Sequence, residues 1–308
     1  MEKLIVCFPG QGSQKPKMAI DLYNHSDSVK RLFEKASDLT HLDLKKILQE
    51  ADSKELCQTV IAQSTIILAE MSALKCLKEM DFDVHATAGF SLGELAAYHT
   101  SGVLSEDDLF KLIKIRGSLM DAAANEKQES PLSMAAVVGI NRVKVDSILN
   151  NCGFENVYVA NDNSSKQVVI SGYESEIDEL TSNLKDGGAR RVIKLKVQSA
   201  FHSPFMRSAE VEFAKVLESY KFSSPSIPLY CNVSGKVETD GDVIKSLASK
   251  QITHPVNWLA IMNDIKERYD GIKIVEAGPG KVLSGLFKTE NMVCSPCGTI
   301  EEILELRK

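Results

Sequence analysis

The residue best placed for chemistry is Ser91, at the centre of the sequence Gly-Phe-Ser-Leu-Gly at 89–93. An apolar, strand-like stretch at 84–88 precedes it, and a stretch that favours helix, 94–98, follows it. In this strand–turn–helix context the glycines permit a tight turn that presents the hydroxyl at the tip of the strand. Amides at the start of the helix would stabilise the negative oxygen of a tetrahedral intermediate. The pattern therefore predicts a nucleophilic serine.

A serine at its free pKa needs a base, and the chain has 6 histidines. His202 follows a predicted strand and precedes a helix opened by Pro204. Active sites of open α/β folds gather at that end of the sheet, so His202 is the predicted base. Four other histidines lie in polar segments or flank the serine turn and are predicted to be surface or core residues: His25, His41, His85 and His99.

Two further features suggest groups that would act on a substrate. The glycine-rich segment 8–14 closes the first predicted strand, but it lacks the Lys of a P-loop, so a second oxyanion amide is its better use. Arg116 lies in a mostly apolar helical stretch, and arginine is almost never fully buried unless it is paired. The partner is either a carboxylate of the protein or the carboxylate of a substrate held by two hydrogen bonds.

The elements that must position these residues indicate an α/β fold in two units. The polar segment 125–131 ends in proline, as a linker would. The next 65 or so residues follow the order β-α-β-β-α-β, which is ferredoxin-like, with a turn at 161–166 and a last strand at 191–197. We predict a large α/β-hydrolase-like domain with a parallel sheet, residues 1–128 and 198–308, and a small inserted ferredoxin-like domain, 129–197. The site is expected in the cleft between them.

Composition limits the function further. The 308 residues carry 36 Lys+Arg and 42 Asp+Glu, a net charge of −6, which argues against nucleic acid or an anionic membrane as a partner. No run of about 18 apolar residues and no signal-peptide pattern is visible, so we predict no membrane span. Seven cysteines, an odd number, fit reduced thiols in a cytoplasmic protein. The Cys294-Ser-Pro-Cys297 segment lacks the further ligands that a zinc site needs.

Taken together, these segments closely resemble the malonyl-CoA:acyl-carrier-protein transacylase family and the related acyltransferase domains of polyketide synthases. The resemblance covers nearly the whole chain. It rests on Phe-Pro-Gly-Gln-Gly-Ser-Gln at 8–14, Gly-Phe-Ser-Leu-Gly-Glu-Leu at 89–95, Arg116-Gly-x-x-Met120, Met134-Ala-Ala, Ala200-Phe-His-Ser, Asn232-Val-Ser, Gln251-x-x-x-Pro-Val-x-Trp258 and Glu276-x-Gly-Pro-Gly-Lys-Val-Leu283.

The resemblance implies transfer of a malonyl group from malonyl-CoA to the phosphopantetheine thiol of an acyl carrier protein, for fatty-acid biosynthesis. Coenzyme A is then a substrate, no metal or redox cofactor is needed, and a monomer is favoured. The resemblance implies Ser91 as nucleophile, His202 as base and then acid, and the Gln251 carbonyl as the group that orients His202. It also implies that the amides of Gln11 and Leu92 form the oxyanion hole. The implied substrate-binding residues are Arg116, which holds the malonyl carboxylate, Gln63 near the site, and Phe201, whose ring excludes an α-methyl branch.

Three positions depart from the family pattern. Phe90 replaces the usual histidine before the nucleophile, Ser64 replaces a proline after Gln63, and Pro131-Leu-Ser-Met134 replaces a glycine-rich segment. The change at Phe90 leaves nucleophile and base in place but puts local hydrogen bonding and acyl selectivity in question.

Other functions stay open. A free-standing acyltransferase or an acyl hydrolase serving a polyketide synthase would use the same serine, and a hydrolase triad needs an acid between Ser91 and His202. A non-catalytic scaffold that only binds a carrier protein is the third possibility. Acidic residues between the two lie in the predicted small domain: Asp146, Asp162, Asp178 and Asp186. Basic candidates for docking an acidic carrier protein are Arg190, Arg191, Lys194, Lys196 and Lys250.

Overall fold

The computed structural model describes residues 2–197 and 199–307. The strands are β1 (Glu2–Phe8), β2 (Phe82–Gly89), β3 (Leu132–Val138), β4 (Val157–Ser164), β5 (Gln167–Tyr173), β6 (Arg191–Lys194), β7 (Leu229–Cys231), β8 (Lys236–Glu238), β9 (Lys273–Glu276) and β10 (Cys294–Pro296). The helices are α1 (Ile20–His25), α2 (Asp27–Thr40), α3 (Leu44–Glu50), α4 (Thr59–Glu79), α5 (Glu94–Thr100), α6 (Glu106–Ala124), α7 (Arg142–Cys152), α8 (Glu174–Asp186), α9 (Arg207–Leu217), α10 (Gly241–Lys250), α11 (Trp258–Arg268), α12 (Val282–Thr289) and α13 (Ile300–Glu305).

A six-stranded sheet in the order β10-β9-β1-β2-β7-β8 forms the centre of the larger unit. All its pairs are parallel except β7 with β8, which closes one edge. Strand β1 is buried from Leu4 to Phe8, as the continuous apolar run of a parallel strand covered on both faces requires. The α/β prediction with a parallel sheet is confirmed. The parallel arrangement also brings the ends of β1 and β2 to the same edge, where the serine turn begins.

Helix α4 is the longest helix in the described chain, and most of its residues are buried. It passes a length and composition test for a membrane span, with a mean hydropathy of 1.4, but 83% of that window is buried inside the protein. Its side chains join the main core with those of α2 and α6. A helix that is apolar around its whole circumference is what the centre of a large fold requires, so α4 is a core helix.

A second, four-stranded sheet in the order β4-β5-β3-β6 belongs to residues 132–194, with α7 and α8 packed on it. Every pair in it is antiparallel. These residues have their own core, which includes Val137, Val168 and Leu180. The observed order is β-α-β-β-α-β, as predicted.

Two predicted boundaries in this sheet are wrong. The turn predicted at 161–166 is mostly strand, because β4 continues to Ser164 through two register shifts. Its backbone forms two hydrogen bonds with the larger unit: the Asp162 amide donates to the Val256 carbonyl at 2.9 Å, and the Val256 amide donates to the Ala160 carbonyl at 3.0 Å. The strand predicted at 191–197 ends at Lys194. The proposed domain boundary at residue 198, like residues 1 and 308, lies outside the described residues.

Candidate active site

Ser91 lies at the turn between β2 and α5, with a left-handed backbone φ of 51°. The flanking glycines make this turn possible. A Cβ on Gly89 would lie 2.0 Å from the Gly93 carbonyl carbon, and a Cβ on Gly93 would lie 2.4 Å from the Phe8 carbonyl oxygen. The chain is therefore packed too closely here for any side chain beside the serine, and Ser91 itself stays partly exposed.

Ser91 and His202 meet across 111 residues of sequence. The Ser91 hydroxyl donates to the His202 imidazole, with Oγ and Nε2 at 2.7 Å. On the other side of the ring, Nδ1 donates to the main-chain carbonyl of Gln251 at 2.7 Å. That hydrogen bond fixes the tautomer in which Nε2 carries the lone pair facing the hydroxyl. The geometry is that of a nucleophile held against its base.

The His202 imidazole is neutral at physiological pH. Its pKa is lowered to about 4, chiefly because burial disfavours the charged ring, and the positive charge of Arg116 adds to this effect. The hydrogen bond to the Gln251 carbonyl acts in the opposite direction. A neutral imidazole is the form that accepts a proton from a serine.

The acidic residues considered for a hydrolase triad do not contact His202. Two of them form ion pairs in the smaller unit, Asp146 with Arg142 at 3.4 Å and Asp178 with Lys194 at 2.8 Å. The position that an acid would occupy, next to Nδ1, is held by the Gln251 carbonyl instead.

Arg116 is 1% exposed and holds its guanidinium against two amide side chains. Nη1 donates to Gln63 Oε1 at 3.0 Å, and Nη2 donates to Gln251 Oε1 at 2.9 Å. Gly117 permits this contact, since a Cβ there would lie 3.2 Å from Val60 Cα on α4. Burial lowers the pKa of Arg116 to about 10, so the side chain stays charged at neutral pH.

No carboxylate in the described chain forms an ion pair with Arg116. Its Nε also lacks a partner among the described residues. A guanidinium has five N–H donors, so Gln63 and Gln251 leave several free for a carboxylate ligand. Of the two sequence interpretations, the ion pair within the protein is not observed.

Gln11 and Leu92 lie on the two loops that meet at Ser91. Leu92 is the second residue of the 3₁₀ turn Ser91–Gly93. Gln11 follows Gly10, where a Cβ would lie 2.6 Å from the Phe90 carbonyl oxygen, so the 8–14 loop touches the serine turn. Both residues are thus close to the serine turn along the chain or across the loop contact.

A cleft of about 860 Å³ opens beside these loops. Gln11 and Phe201 line it from the larger unit, and Ser133 and Lys196 line it from the smaller one. Phe201 is 9% exposed and packs in the main core as well. The cleft therefore runs between the two units, and Gln11 and Phe201 connect it to the segments that carry Ser91 and His202.

Two residues of the site escaped the sequence analysis. Glu94 is 1% exposed and accepts hydrogen bonds from Tyr98 Oη at 2.9 Å, from the backbone N–H of Asn232 at 3.1 Å and from Gln251 Nε2. Asn232 accepts from the Ser91 amide at 2.7 Å and donates to the Gly89 carbonyl at 2.6 Å. Both lie in segments that carry the family resemblance, Glu94 directly after the serine turn, which was the available signal.

Phe90, which replaces the usual histidine, packs edge-to-face on Trp258 with ring centroids 5.5 Å apart. Its backbone amide donates to the Phe8 carbonyl at 2.9 Å. The substitution therefore adds an aromatic contact in a second core, and it leaves the pairing of Ser91 with His202 intact. The Cys294 and Cys297 thiols are both buried, and no group of three or more metal-ligating side chains occurs within residues 2–197 and 199–307.

The fold and this pairing of serine, histidine and carbonyl define an acyltransferase: residues 6–276 match the family model described as acyl transferase domain. A malonyl CoA-acyl carrier protein transacylase of Staphylococcus aureus (strain MRSA252) is 35% identical over 294 residues, which cover 94% of this chain and 93% of that one. The chain therefore belongs to the malonyl CoA-acyl carrier protein transacylases.

Solved structures agree with this assignment. The malonyl CoA-acyl carrier protein transacylase from Coxiella burnetii has a TM-score of 0.92 at 30% identity, and the match covers 99% of this chain and 96% of that one. A malonyl-transacylase solved in complex with its type II PKS acyl-carrier protein has a TM-score of 0.91 at 29% identity, with 99% and 98% covered.

Proposed function

We propose that this enzyme transfers a malonyl group from malonyl-CoA to the phosphopantetheine thiol of an acyl carrier protein through a malonyl ester on Ser91. The observation that carries this proposal is the hydrogen-bonded series Ser91, His202 and Gln251 beside a buried guanidinium that has free donors. The first group can form and break an ester, and the second can bind a free carboxylate on the acyl chain.

In the first half-reaction His202 accepts the Ser91 proton as Oγ attacks the thioester carbonyl of malonyl-CoA. The resulting oxyanion would be stabilised by the amides of Gln11 and Leu92, each such donor being worth about 10²–10³ in rate. When the C–S bond breaks, coenzyme A leaves as a thiol with the proton from His202. The ester on Ser91 remains.

In the second half-reaction the carrier protein's thiol enters and gives its proton to His202, and its sulfur attacks the ester. The tetrahedral intermediate collapses, and Ser91 leaves with the proton that His202 held. The protein supplies nucleophile, base and oxyanion donors itself, so we propose that no metal or redox cofactor takes part. Arg116 would hold the carboxylate of the malonyl group and keep the ester in one position throughout.

We further propose that the chain divides into an α/β-hydrolase-like domain, 1–128 and 198–308, and a ferredoxin-like domain, 129–197, with the cleft as the entry for coenzyme A and the carrier. The separate core of the smaller unit supports this division. Among the basic candidates for carrier docking, Lys194 is already paired with Glu174 and Asp178, which favours Lys196 on the cleft wall.

We infer a cytoplasmic monomer that serves fatty-acid biosynthesis. Seven cysteines, each free in the described structure, suit a reducing compartment. Service to a polyketide synthase is the second candidate, supported by the similarity to the polyketide malonyl-transacylase. A hydrolase is less well supported, because no acidic residue among 2–197 and 199–307 contacts His202, and the buried Arg116 would hold the acyl group for a second acceptor.

Intact-mass measurement tests the proposed function. The enzyme is mixed with malonyl-, methylmalonyl- or acetyl-CoA, with and without a holo carrier protein. We expect a malonyl adduct that disappears in Ser91→Ala, persists in the exposed-serine control Ser182→Ala, and is discharged by the carrier. Rapid release of free malonate with no malonyl-carrier formed would identify a hydrolase, and absence of an adduct would identify a non-catalytic scaffold.

A further inference from the structure

Glu94 is a buried carboxylate that the reaction steps above do not use. It lies at the start of α5, one residue after the serine turn. Oε1 accepts from Tyr98 and from the Asn232 amide, and Oε2 accepts from the Gln251 side chain. Each of its oxygens is therefore occupied, and one of its partners is the residue that connects His202 to Arg116.

Gln251 serves the base and the cation through different atoms. Its main-chain carbonyl accepts from His202, while its side-chain Oε1 accepts from Arg116. Nε2 donates to the Ser91 carbonyl at 2.8 Å and to Glu94. An amide whose nitrogen has two acceptors on one side must present its oxygen on the other, so Glu94 and the Ser91 carbonyl together set which end of the amide meets Arg116.

We propose that Glu94 is a positioning residue for acyl selectivity: it orients the Gln251 side-chain amide so that its oxygen faces Arg116 and fixes the guanidinium for a malonyl carboxylate. This inference deepens the proposed function and rests on it. The main-chain carbonyl that orients His202 is held separately, because the backbone N–H of Gln251 donates to the Leu247 carbonyl at 2.9 Å at the end of α10. Different hydrogen bonds therefore hold the Gln251 side chain, which serves acyl selectivity, and the Gln251 main-chain carbonyl, which orients the base His202.

Glu94→Gln tests this separation with little change in shape. The new side chain keeps an oxygen for Tyr98 and the Asn232 amide, and it turns an NH₂ group toward the NH₂ of Gln251. Two donors then face each other, and flipping the Gln251 amide would only place a donor against Arg116. In the first arrangement the Gln251 amide is no longer held in place, and in the second it presents a donor instead of an acceptor to Arg116.

The measurement is kcat/KM for acylation of Ser91 by malonyl-CoA and by acetyl-CoA. For Glu94→Gln we expect malonyl kcat/KM to fall about 10- to 100-fold, mainly through KM, because a hydrogen bond to a charged group is disturbed. Acetyl kcat/KM should stay within about threefold of the wild-type value, since acetyl has no carboxylate for Arg116. Glu70→Gln is the matched control: Glu70 is fully buried, with no partner in the described chain, and it lies outside this network.

A double-mutant cycle decides whether Glu94 acts through Gln251. Gln251→Ala cuts the same connection while keeping the main-chain carbonyl, so it should show the same selective loss, and Glu94→Gln should add nothing to it. Equal losses for both substrates, or additive effects in the cycle, overturn the proposal. If Glu94→Gln does not fold, a Gln251→Ala enzyme that retains malonyl preference overturns it. The wild-type malonyl adduct, measured in the same series, tests the proposed function separately.

Discussion

Replacing Arg116 by alanine separates recognition of the malonyl carboxylate from the chemistry at Ser91. The guanidinium is 1% exposed and is held by Gln63 and Gln251 rather than by a carboxylate. Its charge is therefore available to a substrate, in a position from which water is excluded. Acetyl-CoA lacks the carboxylate, so it would have to leave this buried cation without a counter-ion.

The expected magnitude follows from that burial. Removing one partner of a buried, hydrogen-bonded ion pair costs about 3–5 kcal/mol, which corresponds to a factor of roughly 10²–10³ or somewhat more. Arg116→Ala should lower malonyl kcat/KM by that factor. Acetyl kcat/KM should stay level or rise, because the penalty for burying an unpaired guanidinium beside an uncharged acyl group is gone.

The assay is acyl-Ser91 formation under single-turnover conditions, with malonyl-CoA and acetyl-CoA in parallel. Arg116→Lys keeps a charge without the planar fork and should give an intermediate malonyl rate. Arg142→Ala, in the smaller unit, removes an arginine that binds Asn257 and Asp146, and it should leave the ratio unchanged. A loss of equal size for both acyl groups in Arg116→Ala would refute the reasoning and make Arg116 a structural residue.

Two further predictions concern the base and the acyl pocket. Because burial lowers the pKa of His202 to about 4, acetyl transfer should stay level as the pH falls from neutrality and decline only near pH 4, where the ring gains a proton. Arg116→Ala removes a positive charge that lowers this pKa, so the decline should move to higher pH; a wild-type decline centred near the ordinary value of about 6.5 would contradict this account. Phe201 lines the cleft, and the family resemblance implies that its ring fills the space of an α-methyl branch, so Phe201→Ala should raise methylmalonyl kcat/KM relative to malonyl by about 10- to 100-fold. An unchanged ratio measured by adduct mass would show that another residue excludes the branch.

The sequence is sufficient to predict a site residue where its neighbours along the chain fix its position. The G-x-S-x-G turn fixes its own backbone through steric exclusion at Gly89 and Gly93, so the position of Ser91 follows from a few neighbouring residues. His202 is predicted as the base from its loop and the proline after it, but the strand before it, β6, belongs to the smaller antiparallel sheet and ends at Lys194. Its pairing with Ser91 at 2.7 Å therefore depends on how the loop after β6 returns to the larger unit, which the strand order alone does not give.

The sequence was insufficient where polar groups are satisfied by distant segments. Residues 161–164 favour a turn by composition, yet they form a strand because Val256 of the larger unit provides part of their hydrogen bonding. Glu94 lies in a helical stretch whose composition is ordinary, and nothing local shows that Asn232 and Gln251 converge on it. Such networks depend on three-dimensional neighbours, and a single sequence contains no direct record of them.

The choice of amides as partners for Arg116 has a functional reason. A protein carboxylate in contact with the guanidinium would neutralise it and compete with the malonyl group for the same donors. Gln63 and Gln251 orient the side chain with neutral oxygens, which leaves the positive charge to the substrate. Glu94 is near enough to stabilise that charge, but its oxygens are occupied by other donors, and burial raises its pKa to about 7. The site thus holds its cation in place without pairing it with a protein carboxylate, as the proposed binding of a malonyl carboxylate requires.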